Sequence, residues 1–476
     1  MSTEAAGAAS TMRQVLALQR AALAREGTAN EALRRDRLER AIGLLVDHRH
    51  DWCEALSTDF SSRHAAESLL VDVLIPLENL RHSIRHLRRW MRPERRASNF
   101  PFGLLGARSE IRWEPRGVVG NIVPWNIPAL GLFGPLAPML AAGNRVMLKM
   151  SEFAPASAAL AERLIGAAFD LEEVAVFSGD ATAGAAFAAL PLDHLMFTGS
   201  TRVGRMVMRA ASENLTPVTL ELGGKSPALV CQDADLELAA RRIAWGKLVN
   251  GGQACIAPDY VLVPEALRDG FVELLRREML RQFPQPLGEG GPTALVSEAH
   301  AERLRDCVDE ARERGARIVP VCEGRPDTTR RIVPSLVVEP DDGCRLMREE
   351  IFGPLLPVKA YGSLDEAIAY VNARPHPLAL YCFGGRAATE RVVAGTRSGG
   401  VAINDVISHG MQENLPFGGV GESGMGAFHA EFGFRAFSHP RAVYRAPRLD
   451  PLALLRPPFV PASVPRIERL LRLRRG

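Results

Sequence analysis

Lysine is almost missing from this 476-residue chain: only Lys149, Lys225, Lys247 and Lys359 occur, and arginine supplies the other 54 of its 58 basic side chains. Where arginine has replaced lysine so widely, lysine persists where a compact ammonium cannot be exchanged for a planar guanidinium. Cysteine is sparse as well. Its seven copies, at 53, 231, 255, 307, 322, 344 and 382, form no Cys-x-x-Cys pair and no repeated spacing. That argues against a disulfide framework and a zinc site, and it fits a reducing, cytoplasmic compartment. No cluster of His, Cys, Asp and Glu has metal-ligand spacing, so no metal is expected.

The net charge is only +3, and the basic residues are spread rather than gathered on an aromatic-interleaved patch, so nucleic acid is not an expected partner. No apolar core of a secretory signal follows the N-terminus. The longest charge-free stretch, 117–144, holds Pro124, Pro128, Pro135, Pro138 and five glycines. It reads as buried strand, turn and helix start, not as a membrane span. Internal repeats and low-complexity tracts are missing, and so is the Gly-x-Gly-x-x-Gly fingerprint of a standard dinucleotide fold.

What is present is a composition of 47% hydrophobic and 24% charged residues, ordinary for a soluble protein of two or three domains. From Met12 to about Arg92 apolar residues recur at three and four, as in Leu38, Ile42 and Leu45, which predicts a helical region. Residues 93–114 shift to proline, glycine and short alternating runs, with 109–113 reading as a strand. Short β-prone runs then appear at 117–122, 145–150, 174–177, 194–197 and 217–220, separated by helical stretches. That alternation predicts an α/β fold with a parallel sheet under covering helices. A second α/β unit is expected after Gly223, with runs at 228–230, 259–263, 317–321 and 355–361.

Two motifs carry chemistry. Cys255 sits in Asn250-Gly-Gly-Gln253-Ala254-Cys255-Ile256-Ala-Pro258-Asp-Tyr260, and Glu221 lies 34 residues earlier in Glu221-Leu222-Gly-Gly-Lys225. A thiol and a carboxylate in glycine-rich settings suit covalent catalysis. The two motifs, their order and their spacing resemble those of the NAD(P)-dependent aldehyde dehydrogenases, and Cys-Ile-Ala-Pro-Asp-Tyr is similar to the class 3 branch, which includes fatty, aromatic and coniferyl aldehyde dehydrogenases. The resemblance implies that Cys255 is the nucleophile, that Asn126 in Pro124-Trp125-Asn126 donates to the oxyanion, and that Glu221 is the base that hydrolyses the thioester.

The same resemblance implies the cofactor site. Phe197-Thr-Gly199-Ser200-Thr-Arg-Val-Gly204 stands where pyrophosphate meets a helix N-terminus. Lys149, Ser151 and Glu152 fall where the family holds the adenine ribose, and the acidic group there favours NAD over NADP, with NADP tolerated. Trp125 and Leu222 flank the cofactor, and Glu350 and Phe352 match the pair that holds the nicotinamide ribose and ring. Two of the four lysines, Lys149 and Lys225, lie inside these motifs.

The last long motif, Asn404 to His429, contains Pro416-Phe417-Gly418-Gly419, whose glycines suit close backbone approach. His409 and His429 are expected in structural or substrate-lining roles. The candidate aldehyde pocket comprises Leu130, Phe133, Ala254, Ile256 and His409, and its mostly apolar lining suits an aromatic or medium-to-long aliphatic aldehyde.

The fold implied is that of the aldehyde dehydrogenases: a Rossmann-like NAD-binding domain (1–93 and 117–222), an α/β catalytic domain (223–429) and a small β oligomerisation arm (94–116 and 430–448). A homodimer is the family expectation. The tail, 449–476, includes Leu455-Arg-Pro-Pro-Phe459, similar to bacterial coniferyl aldehyde dehydrogenases. It ends in leucines mixed with Arg466, Arg469, Arg472, Arg474 and Arg475, a basic amphipathic pattern too short to span a bilayer but able to touch its surface. Two rival functions stand beside the hydrolytic one: an acylating, coenzyme A-dependent dehydrogenase, against which Glu221 speaks, and a non-catalytic cofactor-binding protein.

Overall fold

The computed structural model describes residues 3–288, 290–450, 452–453 and 456–473. Helices fill the N-terminal region: Thr3–Glu26, Glu31–Val46, Arg49–Asp59, the single turn Ala65–Ser68, a π-helical turn Leu69–Leu74, and Ile75–Trp90. Asn30 starts the second helix, its Oδ1 accepting from the Leu33 N–H at 2.9 Å, which satisfies a donor that has no acceptor within the helix.

The first sheet has six strands in the order Gly424–Met425, Val218–Leu222, His194–Gly199, Val118–Ile122, Arg145–Lys149 and Val174–Phe177. Five are parallel, and the two-residue strand Gly424–Met425 runs antiparallel against Leu220 and Glu221. The chain steps outward from Val118–Ile122 on one side and returns on the other. Strand order therefore reverses beside Val118–Ile122, the place where open α/β sheets form a crevice at the carboxyl ends of their strands. Arg145–Lys149 is buried at every residue, as a strand covered on both faces must be.

The second sheet has seven strands, in the order Arg317–Pro320, Ser335–Val338, Leu355–Tyr361, Tyr260–Pro264, Pro227–Val230, Ala379–Phe383 and Gly400–Ile403, with only the first antiparallel. Three of these, Ser335–Val338, Ala379–Phe383 and Gly400–Ile403, are absent from the strand runs read in the sequence. Each is a run of four or five residues, apolar or glycine except for Ser335, too short for periodicity to separate strand from helix. Separate apolar cores lie against the two sheets, one around Phe133, Leu136 and Leu148 and one around Ile243, Val261 and Phe271.

A third, antiparallel sheet joins Glu94–Arg96, Arg108–Pro115 and Ser438–Arg445. The last two pair across eight residues. The helix Ala430–Ala436 precedes the returning strand and packs Ala430 and Phe434 into the apolar core around Phe133 and Leu148, so the range 430–448 holds a core helix as well as the strand. The tail carries a helix, Ser463–Leu473, with Val464, Ile467 and Leu471 exposed; Leu455, Arg474 and Arg475 lie outside the described residues. Among the described residues no helix is long and apolar enough to cross a membrane.

Candidate active site

Glu221 lies next to the end of the strand Val218–Leu222 in the first sheet, in register with Thr198 on one side and Gly424 on the other. It is 3% exposed, and neither carboxylate oxygen has a hydrogen-bond partner. Burial pushes its carboxyl well above the ordinary range, because an unpaired charge is costly there.

The cysteine loop leaves the helix Leu236–Leu248 through three residues of positive φ: Asn250 (50°), Gly251 (61°) and Gly252 (79°). Glycine at 251 is also demanded by space, since a Cβ there would stand 2.2 Å from the Thr293 carbonyl oxygen. Gln253 pins the turn. Its amide donates to the carbonyls of Asn250 (2.9 Å) and Ala294 (3.1 Å), and its Oε1 accepts from the Val296 N–H at 2.9 Å. Tyr381 donates its hydroxyl to the Ile256 carbonyl just beyond. Between these anchors Cys255 is partly exposed. Burial, and then the carboxyls of Glu221 and Glu350, hold its thiol above the ordinary range.

Asn126 is buried and faces the same loop. Its amide donates to the Gln253 carbonyl at 3.0 Å, and its own carbonyl accepts from the Asn250 amide at 2.8 Å. One N–H of the Asn126 amide remains for a ligand. Asn126, Glu221 and Cys255 all line one cavity.

Of the five residues expected in the aldehyde pocket, Leu130, Ala254 and Ile256 line this cavity and Phe133 and His409 do not. Phe133 is completely buried on the core side of the helix Pro128–Ala141, its ring edge-on to Trp52 at 5.8 Å. His409 lies behind the wall, between the rings of Tyr381 (5.9 Å) and Phe417 (6.1 Å), with both ring nitrogens unpartnered. His429 lines the cavity instead, stacked on Phe417 at 4.8 Å. Burial, then His409 beside it, lowers the His429 pKa to about 4, which leaves a neutral imidazole at pH 7.

The aldehyde dehydrogenase family profile matches residues 2–443. The chain belongs to the aldehyde dehydrogenase family. It is 47% identical to the "Probable coniferyl aldehyde dehydrogenase" of Caulobacter vibrioides, with 94% of each chain covered. It is 45% identical to the "Coniferyl aldehyde dehydrogenase" of Pseudomonas sp. strain HR199, with 88% of this chain and 87% of that one covered. The solved structure of substrate-bound AldH from Staphylococcus aureus superposes with a TM-score of 0.90 at 34% identity, covering 97% of this chain and 99% of that one. The enzyme is thus an oxidoreductase acting on aldehydes with NAD(P).

Ser200 caps the helix Thr201–Ser212, its Oγ accepting from the Val203 N–H at 3.4 Å, and so leaves a helix N-terminus of the kind that receives phosphate. Gly204 lets that helix close on Leu222, since a Cβ would meet the leucine side chain at 2.6 Å. Gly199, ahead of Ser200, has no room for a Cβ either: it would meet the Phe197 ring at 2.5 Å. Gly223 makes room for the Glu350 carboxylate, whose Oε2 would lie 2.1 Å from a Cβ there. Trp125 and Phe352 meet edge to face at 5.2 Å, with Phe352 held at a φ of 51°. Lys149 is buried and donates to the carbonyls of Met150 and Gly179, both at 2.7 Å, so one of its three N–H groups stays available. Ser151 and the exposed Glu152 follow directly after that strand. The donor set suits a dinucleotide.

Lys225 braces the segment that carries Glu350 and Phe352. It pairs with Asp259 and donates to the carbonyls of Leu346 (2.8 Å) and Glu349 (3.0 Å), while Asp259 accepts from the Ile351 N–H at 3.0 Å. The segment carrying Glu350 and Phe352 is fixed by this pair. Residues that sequence reading missed include Leu70, Val71 and Ile75 from the N-terminal helices, and Trp245, Met411 and Phe428. Nothing in their spacing separates a cavity wall from core.

Proposed function

We propose that this dehydrogenase oxidises an apolar aldehyde, aromatic such as coniferyl aldehyde or aliphatic of medium to long chain, to its carboxylic acid, with Cys255 as nucleophile. The observation that carries the reading is the placement of a partly exposed Cys255 with Asn126 and Glu221 in a cavity otherwise walled by Leu130, Trp245, Ile256, Phe417 and Phe428. Apolar walls with a few convergent polar groups suit such a ligand. The names of the two coniferyl relatives favour the aromatic branch.

In this reading the Cys255 sulfur attacks the carbonyl carbon after its proton leaves, and the oxyanion accepts from the free N–H of Asn126 and from the Cys255 backbone N–H. Loss of hydride leaves a thioester on Cys255; accepting that hydride is the chemistry the oxidised nicotinamide supplies when bound. Glu221 then takes a proton from water as the water attacks the thioester, and the acid departs with the thiol restored. A base within reach of the thioester supports hydrolysis over transfer to coenzyme A.

NAD is the favoured cofactor, with NADP tolerated, because the Glu152 carboxylate beside the adenosine site would repel a 2′-phosphate. A homodimer joined through the three-stranded sheet is part of the proposal. So is a cytoplasmic setting, supported by seven unpaired cysteines. The deciding experiment follows NADH absorbance with purified protein, NAD, and coniferyl aldehyde, benzaldehyde, hexanal, decanal or succinic semialdehyde, without coenzyme A. Turnover of the aromatic or fatty members is expected. Silence that coenzyme A reverses would replace this reading with the acylating one.

A further inference from the structure

Arg63, Glu67 and Asp72 form a charged cluster that takes no part in the chemistry above, yet it joins the two loops that carry Asn126 and Cys255. The side chains of Arg63 and Asp72 are both fully buried, with Nη1 and Oδ2 2.8 Å apart. Asp72 Oδ1 accepts from the N–H groups of Ala129 and Leu130, each at 3.0 Å. These are the first-turn donors of the helix Pro128–Ala141, which begins two residues after Asn126. A carboxylate there meets unsatisfied N–H groups and the positive end of the helix dipole.

On the other side, Arg63 Nε lies 3.9 Å from Glu67 Oε2. Glu67 Oε1 accepts from the Asn250 backbone N–H at 2.5 Å, and Oε2 accepts from the Thr293 hydroxyl. Asn250 is the first left-handed residue of the cysteine loop, and its side chain donates to the carbonyls of Asn126 and Gln253 at 2.8 and 3.1 Å. A closed circuit results: Asn126, Asn250, Glu67, Arg63, Asp72 and the helix that returns to Asn126. The π-helical turn Leu69–Leu74 places Asp72 inward while Leu70 and Val71 line the cavity, and such turns gather at functional sites.

We propose that Glu67 and Asp72, braced by Arg63, are positioning residues that set the spacing between the Asn126 amide and the Cys255 sulfur. The inference rests on the roles given to Asn126 and Cys255 above. A buried ion pair is a poor device for stability alone, since apolar groups of equal volume serve as well. It is a good device for register, because three of the four carboxylate oxygens accept charge-assisted bonds from fixed donors, Asp72 Oδ1 from Ala129 and Leu130 and the two Glu67 oxygens from Asn250 and Thr293, while Arg63 is held beside Asp72 Oδ2 as an ion pair without an aligned hydrogen bond.

The test uses the purified full-length enzyme with saturating NAD and compares Glu67→Ala, Glu67→Gln and Thr293→Val with the parent. In Glu67→Ala, kcat falls at least about tenfold while KM for NAD stays within about twofold, the pattern of misplaced reacting groups. Glu67→Gln recovers most of that loss, because its carbonyl oxygen still accepts from Asn250. A folded Glu67→Ala enzyme with unchanged kcat overturns the proposal, and so does a Glu67→Gln variant as impaired as the alanine. Should Glu67→Ala fail to fold, Thr293→Val removes one anchor of Glu67 and lowers kcat about threefold; unchanged kcat there also overturns it. Alkylation of Cys255 by iodoacetamide needs no aldehyde. Its rate changes at least about threefold between parent and Glu67→Ala if the loop is displaced, even where the aldehyde panel is silent and the substrate reading has failed; an equal rate overturns the positioning role.

Discussion

The Asn250 side-chain amide donates to the Asn126 carbonyl at 2.8 Å, and both asparagine amides donate to the single carbonyl of Gln253, at 3.1 and 3.0 Å. Two loops, one following the strand Val118–Ile122 and one following the helix Leu236–Leu248, are thereby locked at the point where a thiol and an amide face one cavity. Asn126 keeps one side-chain N–H free, while its other N–H donates to Gln253 and its backbone carbonyl accepts from Asn250.

Replacing Asn126 by alanine removes that donor. Turnover should fall about 10²–10³-fold, the usual cost of one lost oxyanion donor, while NAD binding followed by fluorescence stays unchanged. A fall of less than about threefold would show that the amide does not meet the oxyanion.

Glu221→Gln should separate the two halves of the reaction. Rapid mixing is expected to show a burst of NADH approaching one equivalent per Cys255, followed by a steady rate lowered about 10²-fold or more, since general base catalysis contributes about 10²–10⁴. Cys255→Ala should give neither phase. A Glu221→Gln enzyme with the parent steady rate would remove Glu221 as the base.

The pH dependence follows from burial. The Glu221 carboxyl and the Cys255 thiol are both raised, and both act deprotonated, so activity should climb from acid pH through neutrality into the alkaline range. Glu350 is pushed up to about 8 by burial and by Asp259, against Lys225 and Lys247. The folded state then binds more protons than the unfolded state between the ordinary value of 4.5 and about 8, so stability from this group is lost as pH rises through that window. Melting temperatures taken across the window should decline in the parent and flatten in Glu350→Gln; parallel curves would contradict the shift.

Phe133 and Leu130 sit on one helix with different duties. Phe133→Ala should cost about 3–5 kcal/mol of stability and leave the ranking of aldehydes unchanged in enzyme that still folds. Leu130→Ala should change that ranking with a smaller loss of melting temperature. Thermal unfolding and the aldehyde panel together check both.

Gly223→Ala puts a methyl group 2.1 Å from Glu350 Oε2, so the carboxylate must move. KM for NAD should rise about tenfold, equivalent to about 1.4 kcal/mol, with Cys255 alkylation unaltered. An unchanged KM would show that Glu350 does not bear on the cofactor.

The sequence by itself determined the α/β alternation, most strands of the first sheet and the order of the motifs that identify the family, because those features are local: periodicity, glycine where space or positive φ demands it, and a cysteine in a distinctive string. It could not assign the faces of the helix Pro128–Ala141. All fourteen residues of that helix are apolar or glycine, so no polar stripe marks which side meets the core, and Phe133 reads as pocket-lining as readily as Leu130. Only the tertiary structure decided that Leu130 and Gly131 face the cavity that Cys255 lines and Phe133 faces Trp52. Nor could spacing reveal Arg63, Glu67 and Asp72, which read as ordinary charges on solvated helices. Their partners, Ala129, Leu130, Asn250 and Thr293, are 57 to 226 residues away along the chain, and a buried charge declares itself only when the fold shows what pairs with it.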